Sequence, residues 1–147
     1  DVPYSEGLFT SYRAEDAAAK SAFPFGHGLS YTTFTYDQPK QLTEGECQAF
    51  VCVTATVSNS GRSGASGSEV AQAYVEFPPS AEEPKLVLRG FHKTAVLAPG
   101  AEEVAMFNFT RRDLSIYRGG GWQLQHDIKL HIGSSSAPLY WLSMSIS

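Results

Sequence analysis

An all-β antiparallel sandwich is the fold class that the sequence predicts, on three observations. From about residue 32 onward apolar residues recur with a period of two, short clusters of Gly, Pro and Ser punctuate those runs, and no long stretch carries a helical period. The chain has 147 residues, 42% of them hydrophobic. That length fits one domain with a genuine core and excludes a barrel enzyme of about 250 residues. A charged fraction of 18% and a net charge of -4, beside 12% aromatic residues, fit neither a disordered chain nor a nucleic-acid binder.

The elements follow in order. Val51, Val53, Ala55 and Val57 alternate with Cys52, Thr54 and Thr56, which predicts a strand with Val inward and Thr outward, ending in the turn cluster Ser58-Asn59-Ser60-Gly61. Glu69 to Phe77 carries Ala71, Ala73, Val75 and Phe77 on one side and Val70, Gln72 and Tyr74 on the other, apolar enough on both to be a central strand. Lys85 to His92 and Lys93 to Leu97 read as two short extended pieces stopped by the turn dipeptide Pro99-Gly100. Ala105, Phe107 and Phe109 then alternate with Val104, Met106 and Asn108. Ile128, Leu130 and Ile132 alternate with Lys129 and His131, and Tyr140, Leu142, Met144 and Ile146 alternate with Trp141, Ser143 and Ser145. Six or seven short strands result, with Val53, Val75, Phe107, Phe109, Leu130 and Leu142 expected in one core.

Residues 1–31 lack that period. Ala17-Ala18-Ala19 suits a helical turn too short to stand alone, so the segment is expected to be an irregular tether to a sandwich over 32–147, with residues 1 to about 20 its least protected part. There is no run of 18 apolar residues, and Asp1-Val2-Pro3-Tyr4 lacks a basic-then-apolar pattern. Neither a membrane span nor an attached signal peptide is expected, and no membrane partner. Cys47 and Cys52, five apart in a stretch that reads as extended, would hold their α-carbons about 17 Å apart. Both are therefore expected to be reduced unless a bend interrupts the strand.

Two early segments carry a family resemblance. Tyr4-Ser5-Glu6-Gly7-Leu8 with Tyr12-Arg13, and the longer, more specific Phe23-Pro24-Phe25-Gly26-His27-Gly28-Leu29-Ser30-Tyr31-Thr32-Thr33-Phe34, resemble the passage into the C-terminal fibronectin type III-like domain of family 3 glycoside hydrolases. Val57-Ser58-Asn59-Ser60-Gly61, Gly67 to Val75, Leu88-Arg89-Gly90-Phe91, Leu97-Ala98-Pro99-Gly100, Asp113-Leu114-Ser115 and Ile132 to Ser136 extend it across nearly the whole chain. The resemblance implies a β-glucosidase or β-xylosidase parent, secreted, whose catalytic barrel and α/β domains would be the partners of this piece, a non-catalytic accessory domain that stabilises them or shapes substrate access. It implies that residues 1–31 leave the α/β domain, and that Glu6 falls downstream of the family's acid/base and inherits no catalytic role. Tyr4, Leu8, Phe9, Tyr12, Phe23, Phe25 and His27 are then the domain-interface candidates.

The residues offer little chemistry of their own, so no catalytic residue, metal ligand or cofactor site is assigned. A retaining glycosidase needs two carboxyl groups about 5 Å apart. Here Glu44 and Glu46, Glu82-Glu83 and Glu102-Glu103 all sit beside turn signals, as solvated loop charges do. Gly26-His27-Gly28-Leu29-Ser30 lacks the strand-to-helix frame of a nucleophile elbow and reads as a tight turn. His126 and His131 fall on opposite faces of a strand without further ligands, and His92 stands apart. Asn108-Phe109-Thr110 is an N-glycosylation sequon facing away from the core, which makes Asn108 a glycosylation candidate. Trp122, after Gly119-Gly120-Gly121, and Trp141, opposite the predicted core face, are candidates for packing against other domains or for an aromatic surface that holds cell-wall polysaccharide or lignin.

Overall fold

The computed structural model describes residues 1–137 and 140–145, the side chains of the latter excepted. The strands are β1 (Phe34–Tyr36), β2 (Lys40–Gln41), β3 (Val51–Asn59), β4 (Val70–Glu76), β5 (Val87–Lys93), β6 (Glu102–Phe109), β7 (Ser115–Arg118), β8 (Gly121–Leu124), β9 (Asp127–Gly133) and β10 (Tyr140–Ser145). One short helix, α1 (Ala17–Lys20), and 3-10 turns at Ser11–Arg13 and Pro79–Ala81 complete the described elements. All strand pairs among the described residues are antiparallel.

In the first sheet β6 pairs along β3 from Val51↔Phe109 to Ser58↔Glu102. The short β1 and β2 share the other edge of β3, through Tyr36↔Val57 and Gln41↔Val53. The second sheet runs β10-β9-β4-β5. β4 is internal, as its two apolar faces require, and Ala71, Gln72, Ala73, Tyr74 and Val75 are all buried. The core lies between the sheets and contains Val53, Val57, Val75, Phe107, Phe109 and Leu130. Leu142 and Trp141 fall outside the residues whose side chains are described.

Four elements differ from the sequence expectation. Lys85 to Leu97 is not two equal pieces: β5 is one strand whose register against β4 shifts between Ala73↔Gly90 and Tyr74↔Leu88, leaving Arg89 as the extra residue of a bulge. Leu97 makes only an isolated bridge to Gly67. β7 and β8 form a hairpin not read from the sequence, and its two-residue turn is the glycine pair Gly119 and Gly120. Both have positive φ, 61° and 82°, as a type I′ hairpin turn demands.

Asn59 ends β3 rather than opening a loop, and its side chain is saturated. Its Oδ1 accepts from Thr32 Oγ1 at 2.6 Å and from Gly61 N at 3.2 Å, while Nδ2 donates to Leu97 O at 2.9 Å and Ala65 O at 3.0 Å. One buried amide thus ties together the entry to β1, the loop after β3 and the approach to β6.

The cysteines are the fourth difference. Cys47 and Cys52 form a disulfide with α-carbons 5.5 Å apart. The strand starts only at Val51, and residues 44–50 turn and bend, with Glu46 and Cys47 N–H groups both bonded to Thr43 O. That turn folds Cys47 back over the outer face of β3, which an extended chain could not do.

Candidate interdomain interface

The outer face of the second sheet is where the tether residues collect. Paired residues share a face, so Gln72 and Tyr74 of β4, Leu88 and Phe91 of β5 and His131 of β9 all point away from the core. Tyr12 lies over this face. Its ring stacks on Phe25 with centroids 4.1 Å apart and meets Tyr74 edge-on at 6.2 Å, and its hydroxyl accepts from the Leu88 N–H at 3.0 Å. That last bond occupies a backbone donor beside the β5 bulge.

Tyr74 is fully buried, and burial first, with the nearby Tyr12 second, pushes its phenol up to about 12. It therefore stays a donor, at 2.5 Å to Gln72 Oε1. Gln72 Nε2 donates to Gly26 O at 3.0 Å and Ser134 O at 2.7 Å, and the Ser136 N–H reaches Phe25 O at 2.8 Å. Gly26 has φ +79°, and a Cβ there would lie 2.0 Å from Gln72 Oε1, so both torsion and space call for glycine. The turn expected at Gly26-His27-Gly28 is thus a latch onto β4, and His27 is exposed, stacked at 5.1 Å on Phe23.

The interface candidates divide accordingly. Tyr12 and Phe25 are held to the sandwich. Tyr4, at 90% exposure, and Phe23, at 67%, are not, and Leu8 and Phe9 remain partly exposed. Between the tether and the sheet lies a cleft of about 1020 Å³ lined by Phe9, Tyr12, Ala18, Phe23, Glu76 and Lys85 among others. At its edge Glu76 accepts from Lys129 Nζ at 3.1 Å and faces His131 Nε2 at 2.7 Å. Burial opposes the charge of Glu76, but hydrogen bonds from Lys129 and His131 outweigh it and hold the carboxyl below its ordinary range. Burial lowers the His131 imidazole, only partly offset by Glu76. At neutral pH the contact is a hydrogen bond from a neutral ring to a carboxylate.

Other acidic residues have structural partners: Glu46 accepts from Thr43 N and Oγ1, Glu82 pairs with Arg118, and Glu103 pairs with His92 at 2.8 Å and accepts from Ala95 N. Among the described residues no three His, Cys, Asp or Glu side chains gather as metal ligands would. Trp122 is half exposed at the β7–β8 hairpin, edge-on to Tyr117 at 5.4 Å and under the Arg112 guanidinium at 4.5 Å. Asn108 is exposed on β6. Sequence reading did not single out Gln72 or Tyr74 as tether contacts. The available signal was two polar or amphipathic residues on the outward side of a strand already read as central.

Residues 69–136 match the fibronectin type III-like domain family. The chain is 41% identical to β-glucosidase cel3A of Pyricularia oryzae over 95% of its own length, and it superposes on β-glucosidase D2-BGL of Chaetomella raphigera with a TM-score of 0.88 at 36% identity over its full length. It is a fibronectin type III-like domain of the kind found in family 3 β-glucosidases. The β-D-glucoside glucohydrolase of Trichoderma reesei is similar as well, with a TM-score of 0.85, 33% identity and 98% of this chain covered. The chain spans 22% of the length of the Pyricularia protein and 23% of each of the two solved chains.

Proposed function

We propose that this fibronectin type III-like domain is a non-catalytic accessory domain of a family 3 β-glucosidase or β-xylosidase, and that it buttresses the catalytic barrel and α/β domains during β-glycoside hydrolysis. The observation that carries this is the half-anchored tether. Tyr12 and Phe25 are pinned to the sheet while Tyr4, Leu8 and Phe23 stand in solvent, Phe23 at the wall of the cleft. Leaving such side chains wet costs about 25 cal/mol per Å² of apolar surface, so a partner that covers them gains that amount. The tether is then the crossing from the α/β domain, and the disulfide supports an extracellular setting for the parent.

The test is made in the full-length parent by replacing Tyr4, Leu8 and Phe23 together with Ser. Heat inactivation of glucosidase activity should shift to lower temperature by several degrees while the secondary structure is kept. An unchanged inactivation curve would remove the buttress reading.

A second reading, a surface for cell-wall polysaccharide or lignin, is favoured by the half-exposed Trp122 beside Tyr117 and Arg112. Pull-down with cellulose, xylan and lignin particles separates the two, because a buttress stays in the supernatant and Trp122→Ala should release a bound domain.

A further inference from the structure

We propose that Asn108 carries an N-linked glycan, and that the outer face of the first sheet around it is a solvent face in the parent enzyme, opposite to the face that docks. Four observations converge on this. Asn108 opens the sequon Asn108-Phe109-Thr110, and its neighbours Phe107 and Phe109 are inward and buried, so the alternation of β6 directs the amide outward. The folded strand therefore accommodates a large substituent without moving a core residue.

The second observation is the disulfide. In the β3–β6 register Cys52 lies directly opposite Asn108, and the bond it makes to Cys47 belongs to an oxidising compartment. In a eukaryotic secretory pathway, oxidation and transfer of oligosaccharide from a polyprenyl diphosphate donor share that compartment. In the transfer the Asn108 Nδ2 forms a bond to the anomeric carbon of the first sugar. The bond from that carbon to the diphosphate oxygen breaks, the diphosphate leaves with the electron pair, and the amide loses one proton.

Third, β6 is an edge strand, paired with β3 on one side among the described residues. It shows Val104 and Met106 to solvent at 55% and 45% exposure. An eight-residue edge strand with outward apolar residues invites pairing with another chain, and a bulky hydrophilic substituent two residues from Met106 blocks it. Fourth, the tether and its cleft occupy the outer face of the other sheet, so this face is not needed for the crossing. The face assignment rests on the buttress reading; the glycan does not.

One tryptic peptide reads both parts. Cleavage after Lys93 and Arg111 releases residues 94–111, which contain Asn108 as their sole asparagine and Met106 as their sole methionine. The full-length parent is secreted from a yeast that glycosylates a control sequon protein, then treated with peptide N-glycosidase in heavy-oxygen water. Labelled conversion of Asn108 in most of the peptide is expected, and its loss in Asn108→Gln. Recovery of the peptide unlabelled from wild type would overturn the site. Separately, Met106 in the folded Asn108→Gln parent should oxidise with dilute peroxide within about threefold of the rate in a denatured digest. Protection of tenfold or more would show a protein domain on that face and overturn the face assignment while leaving the glycan intact.

Discussion

Replacing Asn59 by Ala should cost this domain more than any other single polar truncation argued from its contacts. The amide makes four side-chain hydrogen bonds, and two of them involve partners that are themselves deep in the structure, the Thr32 hydroxyl and the Leu97 carbonyl. A buried polar group left without a partner costs about 1–3 kcal/mol, so those two alone amount to roughly 2–6 kcal/mol. The Ala65 carbonyl and Gly61 N–H lie nearer the surface and recover part of their loss from water. The expected destabilisation is about 3–5 kcal/mol, a large share of a typical domain total of about 5–15 kcal/mol. Urea unfolding followed by far-ultraviolet circular dichroism measures it, with Ser58→Ala as the control because Ser58 Oγ makes one exposed 3.5 Å contact to Glu102. A loss below about 1 kcal/mol for Asn59→Ala would mean that the three segments hold their places without the amide, and the account of this corner would fail.

Three further outcomes are expected. Tyr12→Phe keeps the ring contacts with Phe25 and Tyr74 but removes the acceptor for Leu88 N–H, so the domain should lose about 1 kcal/mol and the Leu88 amide should exchange several-fold faster; unchanged exchange at Leu88 would deny the latch. Reducing the Cys47–Cys52 bond should cost only about 2 kcal/mol by loop-closure entropy, because the loop it closes is short, and denaturation with and without reductant should show a small shift rather than collapse. The third concerns acid. His131 has its folded pKa lowered below 6.5, so the native state binds fewer protons there than the unfolded chain and stability falls as pH drops through 6.5. Glu76, lowered below 4.5, adds a second loss as pH falls through its own folded value. Glu69, raised by burial with the Tyr36 hydroxyl opposing, contributes with the opposite sign, so the comparison of wild type with His131→Gln isolates the first window; parallel curves between pH 7 and 5 would refute the assignment.

The strands that form the core were legible because each depends on a pattern local to it. Alternation at Val51 to Val57 and Ala105 to Phe109 survives in the fold residue for residue, since burying one face of a sheet forces period two. The β7–β8 hairpin was not, because Tyr117 and Trp122 are exposed and its apolar contacts through Ile116 and Leu124 are too few to show a period. Asn59 was hidden for a related reason: beside Ser and Gly it has the composition of a turn, and only partners 27 and 38 residues away turn it into a core residue.

The tether shows where local pattern stops being informative altogether. Tyr12 has no periodic neighbours, so nothing within residues 1–31 distinguishes it from Tyr4, yet one is pinned to Leu88 and the other is 90% exposed. What separates them is the outward side of β4 and β5, where a bulge at Arg89 leaves a backbone donor open and Gln72 has two carbonyls to satisfy. Cys47 follows the same logic on the other sheet, since its distance to Cys52 was set by where β3 begins, four residues beyond Cys47. The deciding feature is an irregularity in a strand for Tyr12 and the start of a strand for Cys47. The segments that a parent enzyme would grip are therefore those whose sequence is least regular, and the exposed remainder of the tether, Tyr4 to Phe9 and Phe23, should gain amide protection on joining the parent while Tyr12 and Phe25, already held by the sandwich, gain little.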